Sequence, residues 1–181
     1  MFDDGFRYEA ATERVALPGS NLTVMAGFTA FIPRDMGEGP HAAELTAEFS
    51  QKTEDWTITR FSAVLDPEDG ARITTESLRE MPVAHLLRLA VNAVLGIVAD
   101  ANGDDYWVRW LKEIETTRAM RADGPTPANL AFAAEVYRVG LILRRSPVMM
   151  VTETFGLRER SAAHWIKLAK ERGHLLAKDG E

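Results

Sequence analysis

The sequence predicts an α+β protein: a small antiparallel sheet with helices in an N-terminal domain, followed by a C-terminal trihelical domain. Two observations predict it. Apolar residues alternate with period 2 up to about residue 65 and recur with period 3.6 from about residue 75. The charge also changes sign along the chain: residues 1–124 carry 12 basic and 21 acidic groups, and residues 125–181 carry 9 basic and 6 acidic groups. Such asymmetry implies an acidic body with a basic tail module.

The sheet is expected over residues 6–65. Asn21–Ile32 is rich in β-branched and aromatic residues; it follows Pro18-Gly19-Ser20 and precedes the breaker Pro33. Leu45, Ala47 and Phe49 alternate with Glu44, Thr46 and Glu48, the pattern of a strand with one wet face. Trp56 and Ile58 alternate with Thr57 and Thr59, and the apolar phase then switches to Phe61, Ala63 and Leu65. A phase switch inside a strand implies a bulge or a bend. Arg7–Leu17 is a weaker strand signal. Short connections imply an antiparallel meander, because parallel crossovers need a dozen or more residues.

Helices are expected over residues 75–119, completing a domain of residues 1–120. Asp69-Gly70 is a turn signal, Thr75 is read as an N-cap, and Met81-Pro82 should end or kink the helix it starts. Leu86, Leu87, Ala90, Ala93, Val94, Ile97 and Val98 follow helical spacing up to the break at Asn102-Gly103. Trp107, Trp110, Leu111 and Ile114 form one stripe of a second helix, which serves either as core or as a dimer surface. Arg121–Thr126 reads as the linker, since Gly124-Pro125 stops a helix.

The C-terminal domain, residues 126–176, is written as three helices with punctuation between them. Thr126 can cap the first and Pro127 suits its first position; Ser146-Pro147 repeats the device. Leu130, Ala134, Tyr137 and Leu141 form the expected inner stripe of the first helix, and Val148, Val151, Thr152 and Phe155 that of the second. Gly156 is placed for a left-handed residue after a helix end. The third helix, Arg158–Arg172, is closed by Gly173. Each residue advances about 100°, so Ala162, Trp165, Ile166 and Ala169 fall on one side and Arg160, His164, Lys167 and Glu171 on the other.

In a helix-turn-helix the N-terminal residues of the second helix meet base edges in the major groove. On that reading Arg160 suits guanine, and Ser161 and His164 suit base or phosphate. Lys167, Lys170 and Arg172 suit phosphates further along. A structural three-helix bundle that binds protein would share the same buried faces.

The run from Gly156 to Ile166, Gly-Leu-Arg-Glu-Arg-Ser-Ala-Ala-His-Trp-Ile, resembles the helix-turn-helix core of actinobacterial and actinophage DNA-binding proteins. The usual form there is Gly-Val-Ser-Arg-Ser-Thr-Ala-Ala-Arg-Trp-Ile. Lys167–Leu176 and Ala134–Tyr137 continue the likeness, which spans about 50 residues, under a third of the chain. It implies a recognition helix with Arg158, Arg160, Ser161, His164, Lys167, Lys170 and Arg172 facing DNA. Two of the departures from the pattern matter. Arg158 stands where the family has a serine N-cap, and Glu159 where it has an arginine. Glutamate favours the helix dipole and can accept from cytosine N4, but it repels phosphate.

Other chemistries find little support. Asp100–Asp105 resembles the start of a calcium loop, yet Asp105 and Leu111 stand where glycine and glutamate are required. His41, His85, His164 and His174 lack ligand spacing, and no phosphate loop or nucleophile motif is present. No catalysis, cofactor or metal is expected. The chain has no cysteine and begins with the acidic Met1-Phe2-Asp3-Asp4, so a cytoplasmic location is expected. Arginine outnumbers lysine 16 to 5, which points to a GC-rich bacterial or phage genome. The expected function is sequence-specific binding of double-stranded DNA as a transcriptional regulator, with a homodimer as the expected assembly. The alternative is a phage or mobile-element accessory protein whose C-terminal helices bind another protein.

Overall fold

A computed structural model describes residues 5–17, 23–65, 72–101 and 120–175. The chain divides into two compact units, Met1–Val15 with Thr23–Val98, and Ala16–Leu22 with Ala99–Glu181. The class is mixed α+β, with a small antiparallel sheet and six helices among the described residues.

The strands are β1 (Arg7–Ala10), β2 (Arg14–Ala16), β3 (Thr23–Met25), β4 (Gly27–Ile32), β5 (Ala42–Ser50) and β6 (Asp55–Val64). Four of them form the main sheet in the order β1-β4-β5-β6, and every neighbouring pair is antiparallel. β4, β5 and β6 make the expected meander. β1 is not its next member in sequence: it adds to the free side of β4, while β2 and β3 pair separately. The expected strands Arg7–Leu17 and Asn21–Ile32 are thus each broken. At the second break, Ala26 bonds in two directions: its N–H donates to Glu13 O at 2.9 Å, and its carbonyl accepts from Phe49 N at 2.8 Å.

The phase switch in β6 is a bulge. The register passes from Ile58 opposite Ala47 to Arg60 opposite Thr46, leaving Thr59 as the extra residue. One face of the sheet buries Phe28, Ala30, Ile32, Ala43, Leu45, Ala47, Phe49 and Trp56. Trp56 meets Phe28 and Phe49 edge to face at 5.1 and 5.3 Å, a favourable geometry for the ring quadrupoles.

The helices of this unit are α1 (Arg34–Gly37), α2 (Thr75–Arg79) and α3 (Val83–Ala101). α1 is not expected from the sequence: it follows directly on the strand breaker Pro33. Gly37 packs closely on α3: a Cβ on it would lie 2.8 Å from Leu86 Cδ2, so the leucine side chain would have to shift. The cap of α2 is Thr74 rather than Thr75. Ser77 completes a reciprocal box, with Ser77 N donating to Thr74 Oγ1 at 3.1 Å and Thr74 N donating to Ser77 Oγ at 2.9 Å. The Ser77 hydroxyl also lies 2.8 Å from Nε2 of the buried His41. α2 ends before Met81-Pro82 as the sequence predicts, and α3 buries Leu86, Leu87, Ala90, Val91, Val94 and Leu95. The helix expected at Trp107–Ile114, its preceding Asn102-Gly103 break and the turns at residues 18–20 and 69–70 lie outside the described residues.

The second unit contains α4 (Pro127–Ile142), α5 (Pro147–Phe155) and α6 (Glu159–Glu171), which pack pairwise. Thr126 and Ser146 cap α4 and α5 as expected, accepting from Asn129 N at 3.2 Å and Met149 N at 3.5 Å. The buried surface of α4 is wider than the expected stripe. Tyr137 and Leu141 are only half-buried, whereas Ala133, Val136, Val139 and Ile142 are buried alongside Leu130 and Ala134. The reason is that α4 is covered by two helices at once, so a single stripe cannot describe it. On α5 the buried residues are Met150, Val151, Thr154 and Phe155, with Val148 and Thr152 half-buried. Close approach to α4 turns it this way: Gly140 offers no side chain, and Pro147 and Met150 lie over it.

Among the described residues, no helix is long and apolar enough to cross a membrane.

Candidate nucleic-acid interface

The turn into α6 begins at Gly156, whose φ of 60° and ψ of 31° place it in the left-handed region. Glycine adopts that conformation without steric cost. Gly156 N donates to Glu153 O at 3.4 Å, and Leu157 N donates to Thr152 O at 3.0 Å, which satisfies the end of α5. Arg158 is the N-cap of α6, and its side chain makes no capping hydrogen bond. Its carbonyl accepts from Ser161 N and Ala162 N at 2.8 and 3.0 Å. No described residue accepts from the N–H groups of Glu159 or Arg160. Those donors, at the positive end of a helix dipole, suit an anion.

The buried side of α6 is the one read from spacing. Ala162, Trp165, Ile166 and Ala169 are all buried. Trp165 packs edge to face on Phe155, and Phe155 on Phe132, so one aromatic chain ties α6 to α5 and α4.

The opposite side carries Arg160, His164 and Lys167, all exposed. Seven residues at 1.5 Å each separate Arg160 from Lys167 by about 10 Å along the axis, close to the width of a DNA major groove. The side chains of Arg160 and His164 make no hydrogen bond or ion pair with another described residue. Lys167 faces Glu171 at 3.8 Å, with side chains 74% and 55% exposed. Such a solvated pair contributes little and yields readily to a phosphate.

Of the remaining residues expected at the interface, Arg158, Lys170 and Arg172 are exposed and Ser161 is half-buried. Arg158 is exposed at the start of the helix. Ser161 is half-buried, about 100° round from Arg160. Lys170 turns toward α4, its ammonium 5.5 Å from the Tyr137 ring centre. Arg172 donates to the Pro125 carbonyl at 3.4 Å. Lys170 and Arg172 remain exposed beside these contacts, so Arg158, Arg160, His164 and Lys167 share the outward surface with them. The chain matches no family model, no curated protein and no solved structure.

One residue that sequence reading assigns to the linker belongs to this region. Arg121 Nη1 donates to Gly156 O at 2.8 Å. The segment around it is held against the helices that follow, because the buried Asn129 donates from Nδ2 to Met120 O and Gly124 O, both at 2.8 Å. No local spacing signals a contact across 35 residues.

The first unit offers a different surface. An open groove of about 650 Å³ is lined by Glu9, Glu13, Glu48, Gly27, Thr29 and Thr46, among others. The two threonine hydroxyls lie 3.1 Å apart. Three carboxylates around one concavity repel phosphate, so the groove does not suit nucleic acid. Among the described residues, no three His, Asp or Glu side chains gather where they could hold a metal ion.

Proposed function

We propose that this chain is a sequence-specific double-stranded DNA-binding protein, a bacterial or phage transcriptional regulator, in which α5, the Gly156 turn and α6 act as a helix-turn-helix. The observation that carries the reading is the division of α6. Trp165 and its small neighbours anchor one side, while Arg160, His164 and Lys167 stand outward with donors suited to base edges and phosphates. The uncapped first turn adds backbone N–H groups for a phosphate. In this reading the N-terminal unit, whose share of the chain is acidic, supplies assembly rather than DNA contact.

The test is selection of bound sequences from a random duplex pool, followed by titration of the preferred site. Recovery of a defined motif supports the reading; retention of no duplex at low salt overturns it.

A second reading is favoured by the mixed charge of the same face. Glu159 and Glu171 flank the basic residues, and Lys167 already has a carboxylate partner. A face of both signs also suits another protein, as in a phage or mobile-element accessory factor. Retention on heparin separates the two: a DNA-binding face gives salt-dependent retention that Arg160→Ala weakens.

A further inference from the structure

The chain entering α4 is fastened on either side of α6. In the turn before α6, Arg121 Nη1 donates to Gly156 O at 2.8 Å. At its end, Arg172 Nη1 donates to Pro125 O at 3.4 Å. Between these points the segment is pinned to α4 by Asn129, 4% exposed, whose Nδ2 donates to Met120 O and Gly124 O. The strap is thus fixed at three places.

It braces the turn that leads into α6, a helix that begins without a side-chain cap. Arg158 stands at the N-cap and makes no capping bond. The turn before it rests on backbone bonds at 3.4 and 3.0 Å, on the left-handed Gly156, and on the Arg121 contact. A hydrogen bond from a guanidinium is stronger than one between neutral groups.

We infer that Arg121 is a positioning residue for the DNA-docking helix: its guanidinium, clamped on the Gly156 carbonyl, holds the turn that sets where Arg160 and His164 point. The inference rests on the reading of α6 as that helix. Arg121 need not touch DNA. It acts through the turn, and the strap makes the chain before α4 part of the docking element.

The test uses the full chain and its variants Arg121→Ala and Arg121→Lys. Each is titrated with a mixed-sequence 20-base-pair duplex at several salt concentrations, and amide hydrogen exchange is followed at Ser161 and Ala162 and along α4. Arg121→Ala should raise Kd about tenfold, the loss expected for one charged hydrogen bond, with the salt slope unchanged. The Ser161 and Ala162 amides should exchange faster while those of α4 keep their protection. Arg121→Lys, which keeps a donor but loses the planar fork, should recover part of both losses.

Three outcomes overturn the inference. A salt slope lowered by about 1 in Arg121→Ala, with full recovery in Arg121→Lys, marks a direct phosphate contact instead. Loss of α4 protection marks a residue that stabilises the whole bundle. Unchanged exchange at Ser161 and Ala162 shows that the turn does not depend on Arg121. If the parent chain binds no duplex, the docking reading fails, and the exchange measurement still decides what Arg121 does.

Discussion

Phe155 and Trp165 meet edge to face, with ring centres 5.1 Å apart and planes inclined by 64°. Phe155 ends α5 and is fully buried; Trp165 lies at the middle of α6 and is 5% exposed. The pair spans the Gly156 turn, so it sets the angle between the two helices. It also explains why a 13-residue helix with a largely polar outer face is held in place.

Trp165→Ala should therefore destabilise the second unit by about 3–5 kcal/mol, as for other buried aromatic truncations. Part of that loss is the edge-to-face contact, about 0.5–1.5 kcal/mol. Thermal unfolding followed by near-ultraviolet circular dichroism measures it. A change below 1 kcal/mol would show that the aromatic chain does not anchor α6.

Arg160→Ala and Lys167→Ala should leave folding intact, since both side chains are exposed, and should differ in their effect on DNA. Arg160→Ala should relax base preference and cost about 1–3 kcal/mol on the preferred site. Lys167→Ala should weaken all sequences alike and lower the salt slope by about 1. Its effect should be enlarged by the Glu171 carboxylate, which the lysine leaves unneutralised near the phosphates. Anisotropy titrations on preferred and scrambled duplexes check both. A double variant that binds like the parent would refute the docking face.

Gly140 is the close-approach point of α4 and α5. A Cβ there would lie 2.7 Å from Pro147 Cα and 3.2 Å from Met150 Cγ. Backbone on the facing helix cannot step aside as a flexible side chain can. Gly140→Ala should destabilise by about 1–3 kcal/mol through overpacking, although alanine is the better helix former by up to about 1 kcal/mol. Urea unfolding distinguishes the signs: a stabilised variant would mean that the helices are free to separate.

A single recognition helix reads too few base pairs to find one site in a genome. The proposed regulator should therefore act as a homodimer formed mainly through residues 1–120, with half-sites about 10 base pairs apart or a multiple of that spacing. Light scattering of the free and DNA-bound protein gives the mass. A monomer in both states at micromolar concentration would leave the specificity without a source.

Local chemistry carried a good deal of this structure. The caps at Thr126 and Ser146, the left-handed Gly156 and the buried side of α6 all follow from residue type and spacing. So does the bulge at Thr59, because one extra residue inverts the alternation that the pleat imposes. The exposed positions of Arg160, His164 and Lys167 follow from the same 3.6-residue period that buries Trp165.

Tertiary structure alone decided the rest. Pairing of β1 with β4 depends on where β2 and β3 go, which no alternation within β1 records. The buried arc of α4 and the rotation of α5 depend on how many neighbours each helix has and on the gap that Gly140 leaves. The same holds for the strap. Arg121 reads in sequence as a linker residue and Asn129 carries no signal at all, yet the fold makes both hydrogen-bond donors to backbone carbonyls. Periodicity and capping act over one or two turns of chain, so the sequence determines them directly. A bond between residues 35 apart exists only when packing has brought its partners together.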